Sequence, residues 1–201
     1  FTLIAGNLQS SGFTQALVNL KAPRNEDYTA VFWFNTLTSF VLYALLFLLA
    51  PLIARFFHQP CLVEVSRFVF LSFVISSFGI AHNAYMTKNM MNRELAIIGA
   101  IALLCSGGVA TFLAFYGFSY WSLAWQQIIY ITVLNIGRYY YTPWRPSWHF
   151  TFEPVRKMFG FSVKILITNI INTLSNNILT LLFGRLYPIK AVGDYSQAYK
   201  W

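Results

Sequence analysis

A chain of 201 residues in which 57% of the side chains are hydrophobic and only 10% are charged cannot cover a water-soluble globule. Soluble domains carry about 25% charged residues, and a domain of this size still exposes about a third of its unfolded surface. The formal charge of +8 comes from Lys and Arg placed singly or in pairs between apolar runs, which excludes the one-sided basic groove that a nucleic acid needs.

Lipid is the solvent this composition selects, and the chain reads as a run of membrane-spanning helices. Residues 1 to 20 are moderately apolar and resemble the later part of a span. No cleavable signal peptide is visible, and a further helix-like segment opens at 194 to 201, so the chain reads as a piece of a longer protein lacking both ends. After the polar stretch from Lys21 to Asp27, with Pro23 as a helix stop, residues 29 to 53 form the clearest span, interrupted only by Pro51.

A third span runs over about 61 to 85, with Glu64 and Arg67 in its first turns and Arg67 near enough to the interface to snorkel. The fourth covers about 95 to 116, where Gly99, Gly107 and Gly108 predict close helix contact. A short turn separates it from the fifth, about 121 to 137. The connection that follows holds Pro143, Pro146 and Pro154 together with Tyr139, Tyr140, Tyr141, Trp144 and Trp148, the composition of an interfacial aromatic belt. A sixth span is expected over about 159 to 183. Cys61 and Cys105 fit no metal motif and read as small hydrophobes.

Alternate connections differ in charge. The stretches 21 to 28, 86 to 94 and 138 to 158 hold eight Lys and Arg, against three in 54 to 60, 117 to 120 and 184 to 193, which places the first set in the cytoplasm.

The sixth span is two-sided. With Lys164 at zero and about 100° per residue, Thr168, Asn172, Ser175 and Asn176 fall between about 20° and 120°, with Asn169 at about 140°. Val163, Ile167, Ile170, Ile171, Leu174, Ile178 and Leu181 fill the arc from about 240° to 340°. A lysine inside a span faces a cavity or a partner, or else snorkels to the interface, and both readings of Lys164 stand. The asparagines either bond to neighbouring helices or line a hydrated path. Asn35 near the start of the second span, His82 and Asn83 at the end of the third, Gln126 and Gln127 in the fifth, and Arg185 beyond the sixth are secondary candidates. His82 has no Cys, His or carboxylate at metal-ligand spacing, and no span carries Asp or Glu at its middle. No Gly-rich phosphate loop, His-Glu-x-x-His or paired carboxylates point to an enzyme.

Several short runs fall in a recognisable order. They are Ala30-Val-Phe-Trp-Phe-Asn35, Leu48-Leu-Ala-Pro-Leu-Ile-Ala-Arg-Phe-Phe57, Gly117-Phe-Ser-Tyr-Trp-Ser-Leu-Ala124, Trp144-Arg-Pro146, Phe159-Gly-Phe161, Gly184-Arg185 and Gly193-Asp-Tyr-Ser196. Together they resemble bacterial polysaccharide flippases, the Wzx-like O-antigen and exopolysaccharide translocases of the multidrug and oligosaccharidyl-lipid exporter superfamily. The resemblance implies an all-α polytopic helix bundle of the MATE-like flippase fold, two six-helix lobes around a central cavity. Residues 1–141 would be the remainder of the first lobe, 142–157 the cytoplasmic linker and 158–201 the start of the second lobe.

It implies an inner-membrane protein that moves an undecaprenyl-pyrophosphate-linked oligosaccharide between leaflets by alternating access, in lipopolysaccharide or exopolysaccharide biosynthesis. Lys164 would meet the pyrophosphate and Asn169, Asn172 and Asn176 the sugars. Expected partners are this lipid-linked substrate, membrane lipids, and the polysaccharide polymerase and export machinery. No cofactor is implied, and proton and sodium coupling stay equally open. A drug or metabolite exporter of the same fold is the alternative.

Overall fold

The structure, a computed structural model, describes residues 13–56, 59, 62–147 and 153–186. Every regular element among them is α-helical. Residues 13–19 form a short helix, followed by α1 (Asn25–Phe56), α2 (Leu62–Lys88), α3 (Asn92–Phe115), α4 (Ser119–Tyr141) and α5 (Glu153–Leu186). Residues 1–12, Cys61, Trp148 and the segment from 187 to Trp201, with the connection and helix expected there, lie outside the described residues.

Local chemistry sets the helix ends. At the start of α1, Asp27 accepts a hydrogen bond from the backbone N–H of Arg24 at 2.7 Å, the back-reaching half of a capping box. Glu26 and Asp27 complement the positive end of the helix dipole and Arg55 the negative end. The α3–α4 turn is a Schellman motif, in which the N–H of Phe118 reaches Leu113 O and that of Gly117 reaches Ala114 O, both at 3.1 Å. Gly117 stands there at φ 82°, a region in which glycine pays no steric penalty. The same motif ends α2 with Met90 at φ 53° in the glycine position.

In space the five long helices form a row ordered α5, α1, α2, α4, α3, in which α2 and α3 meet only marginally and α5 has its helix–helix contacts with α1. The antiparallel α1–α2 pair holds a cluster at each end. One, at the charge-rich end, gathers Phe13, Leu17, Tyr28, Val31, Ala81, Ala84, Trp144, Val155 and Met158, and so ties the 13–19 helix, α1, α2, the segment after α4 and the base of α5 together. The other packs Ala50 against Phe70 and Phe73. Between them Ser39 and Ser77 are fully buried, each with its hydroxyl donated to a carbonyl of its own helix at 2.7 Å. That bonding satisfies the hydroxyls of small polar residues within their own helix and suits them to a close-packed seam.

Among the described residues, three helices are long and apolar enough to cross a membrane by length and composition: α1 over Asn25–Leu52, α2 and α3. Their outer faces carry exposed Leu37, Val41, Leu48, Leu103, Leu104 and Phe115, as lipid contact requires. Helix α4, with 23 residues, and α5, with 34, are also long enough at about 1.5 Å per residue. Gln126, Gln127, Asn135 and Arg138 make α4 more polar, as the polar side chains of α5 do for it.

Several expectations need correction. A Cβ added at Gly99, Gly107 or Gly108 would meet nothing within 4 Å, so these glycines are not contact points among the described residues, where α3 is the end of the row. The close approaches are at Gly79, where a Cβ would fall on the side-chain oxygen of Asn135, and at Gly137, where it would lie 2.6 Å from Ile98. The Arg67 guanidinium lies over the Phe47 ring, 4.1 Å from the centroid. Helix α5 starts at Glu153, not near 159, because Pro154 falls in the first turn, where a missing N–H costs nothing.

Candidate functional site

The sequence candidates fall in separate places. Lys164, Thr168, Asn169, Asn172, Ser175 and Asn176 all lie on α5, which runs unbroken through them. With the helix starting at Glu153, Lys164 is about three turns in. Lys164, Thr168, Asn172 and Ser175 are exposed and Asn169 is half-buried. Thr168 returns its hydroxyl to Lys164 O at 3.0 Å. Val155, Met158 and Ser162 are the buried side chains of α5 and mark the side that packs on α1. The ridge from Lys164 to Ser175 therefore starts beside the α1 contact, and Ile167 and Ile171 stand exposed on the other flank. No described helix covers either flank. The side chains of Asn176 and Arg185 lie outside the described residues.

Asn35 and His82 belong to the α1–α2 pair. Asn35 is buried and donates to Val31 O of its own helix at 2.9 Å, and Asn83 is half-buried. His82 is 2% exposed, and its Nδ1 donates to Phe78 O at 3.1 Å. Its ring stands in an aromatic box formed by Trp144 at 5.0 Å, Tyr139 at 5.5 Å and Phe32 at 6.4 Å. Gln126, half-buried, and Gln127, exposed, lie near the opposite end of α4, about 20 Å along its axis from Tyr139.

Trp144 is the principal residue that the sequence reading misplaced. Tyr139, Tyr140 and Tyr141 are exposed, as a membrane-interface belt requires, but Trp144 is 6% exposed and seated inside the protein. The segment 142–147 is a strap laid across the ends of α1, α2 and α4. Arg145 holds it by donating to Thr142 O and, at 2.9 Å, to Trp144 O, while its guanidinium stacks 4.0 Å above Tyr139. Trp33 donates to Ser147 O at 2.9 Å. The strap's distance in sequence from Tyr28 and His82 hid this seat.

A second missed group is Asn135 with Gly79 and Arg138. Asn135 donates to Ile75 O across the α2–α4 seam, and the absent side chain of Gly79 makes the room for it. Two polar residues three apart near the end of an apolar helix, 135 and 138, were the signal available.

A row of long apolar helices with buried seams of small polar residues defines a polytopic membrane helix bundle. The sequence profile of the polysaccharide biosynthesis protein family matches residues 1–201, and the chain belongs to that family. It is 25% identical over 99% of its length to the teichuronic acid biosynthesis protein TuaB of Bacillus subtilis, and covers 42% of that protein. It is 25% identical over 98% of its length to the lipopolysaccharide biosynthesis protein WzxC of Escherichia coli, covering 40%. Against the succinoglycan biosynthesis transport protein ExoT of Rhizobium meliloti it is 24% identical over 94% of its length, covering 38%. The chain thus spans about two fifths of the length of these relatives. No solved structure matches it.

Proposed function

We propose that the protein translocates an undecaprenyl-pyrophosphate-linked oligosaccharide from the cytoplasmic to the outer leaflet of the bacterial inner membrane, by alternating access, for lipopolysaccharide or exopolysaccharide biosynthesis. The observation that carries this reading is α5, an unbroken helix with an exposed polar ridge beside an exposed apolar flank. A lipid-linked glycan needs both surfaces at once: a cation for its phosphates, hydrogen-bonding groups for its sugars, and hydrocarbon for its tail. Lys164 serves the first, and Thr168, Asn169, Asn172, Ser175 and Asn176 the second. Membership of a polysaccharide biosynthesis family supports the substrate class, and similarity to ExoT, a succinoglycan biosynthesis transport protein, supports transport.

Deletion of the complete gene, with the lipid-linked precursor assigned to a leaflet, tests the proposal. Precursor trapped on the cytoplasmic side is the expected result. Normal surface polymer with no trapped precursor refutes it and favours export of a drug or metabolite.

A further inference from the structure

A crevice of about 520 Å³ lies between α1 and the first two turns of α5, outside the ridge just described. Phe34 of α1 and Glu153, Val155, Arg156, Phe159 and Gly160 of α5 line it. The volume is that of a site for a small organic ligand. Its walls are apolar apart from one carboxylate and one guanidinium. At Gly160 a Cβ would meet no atom within 4 Å, so the space is open there.

With Lys164 again at zero, Phe159, Arg156 and Gly160 lie at about 220°, 280° and 320°. Val163, Ile167 and Ile171 continue the same arc at about 260°, 300° and 340°, and Ile167 and Ile171 are 50% and 57% exposed. The crevice is thus the base of a bare apolar strip that runs up the helix, and Lys164 stands at the strip's edge about 12 Å above Arg156. An anion held by Arg156 on the Gly160 side of the crevice lies on the path towards Lys164. A guanidinium can grip a phosphate through two parallel hydrogen bonds.

We infer that this crevice is a loading site for the phosphate-bearing end of a prenyl-phosphate lipid. The phosphate rests on Arg156, the first hydrocarbon units rest between Phe34 and Phe159, and the tail follows the Ile167–Ile171 strip before the head group passes to Lys164. The inference rests on the translocation reading above and adds to it a position and a ligand residue.

The test uses the protein expressed from its complete gene, reconstituted in vesicles with a prenyl phosphate that carries a photoreactive group in its first isoprene units. Labelled peptides are read by mass spectrometry. Labelling of the segments containing Phe34 and Phe159 is expected. It should fall about tenfold or more in Arg156→Gln, the loss of a charge-assisted contact, and in Gly160→Leu, which fills the crevice. Arg156→Lys should restore part of it, Gly160→Ala should leave it unchanged, and Lys164→Gln should retain it. Unlabelled prenyl phosphate should compete and inorganic phosphate should not. Labelling of other segments with these two unaffected by Arg156→Gln and Gly160→Leu would overturn the loading site and leave translocation standing. Labelling no stronger than that by an uncharged prenol probe would overturn both.

Discussion

Replacement of Trp144 by alanine tests whether the strap 142–147 is a fixed part of the bundle. The indole is 6% exposed, with ring centroids 5.0 Å from His82, 5.8 Å from Tyr28 and 6.3 Å from Phe32. Truncation of a buried tryptophan costs about 3–5 kcal/mol. The lost energy is localised, because Trp33 and Arg145 still hold the strap's backbone. The equilibrium between a seated and a lifted strap should therefore shift by about two to three and a half orders of magnitude, at about 1.4 kcal/mol for each factor of ten. Thr142 is fully buried and its hydroxyl has no hydrogen-bond partner among the described residues, so Thr142→Cys is a nearly isosteric reporter. In inside-out vesicles, a membrane-impermeant maleimide should label that cysteine at least about 10²-fold faster when Trp144→Ala is added. Trp144→Phe should cost far less, because the indole N–H has no hydrogen-bond partner among the described residues either. Equal labelling rates with and without Trp144→Ala, in well-folded protein, would refute the seating argument.

Gly79→Ala drives a methyl group onto the Asn135 side chain and should destabilise the detergent-solubilised protein by about 1–3 kcal/mol in thermal unfolding; adding Asn135→Ala should recover part of the loss. Gly117→Ala forces a Cβ into φ 82° and should cost about 1 kcal/mol or more in the same assay. Lys88→Met removes the ammonium that donates to Val18 O at 2.8 Å and Leu20 O at 2.5 Å. It should release the 13–19 helix, by about 1–3 kcal/mol, so that a cysteine at the fully buried Leu17 becomes reactive while the Ala50–Phe73 end keeps its protection.

Helix number and type over the described residues were legible in the hydropathy pattern, since the spans expected at 29–53, 61–85, 95–116 and 121–137 lie inside or within a residue or two of α1 to α4. The ends were less so. Pro154 looks like a loop residue until its place in a first turn is recognised, and with it α5 gains about six residues and Lys164 moves deeper. Glycine content alone could not separate Gly79 and Gly137, which face a neighbour, from Gly99, Gly107 and Gly108, which do not. That distinction depends on helix rotation, and α3 carries apolar side chains around most of its circumference. Trp144 shows a different limit: tryptophan next to arginine and proline suits a membrane interface and a buried plug equally well, and only the return of the strap over α1 and α2 decides. The alignment of Lys164, Thr168, Asn172 and Ser175 along α5 follows from helical spacing, because charge and amide groups in an apolar helix are few and each has a definite angle.

The most direct measurement of the account is the leaflet distribution of lipid-linked precursor in cells whose complete gene carries Lys164→Ala or Lys164→Arg, at matched protein levels in the membrane. Precursor should accumulate on the cytoplasmic side with alanine and recover substantially with arginine. A normal distribution in the alanine variant would contradict the role assigned to the α5 ridge.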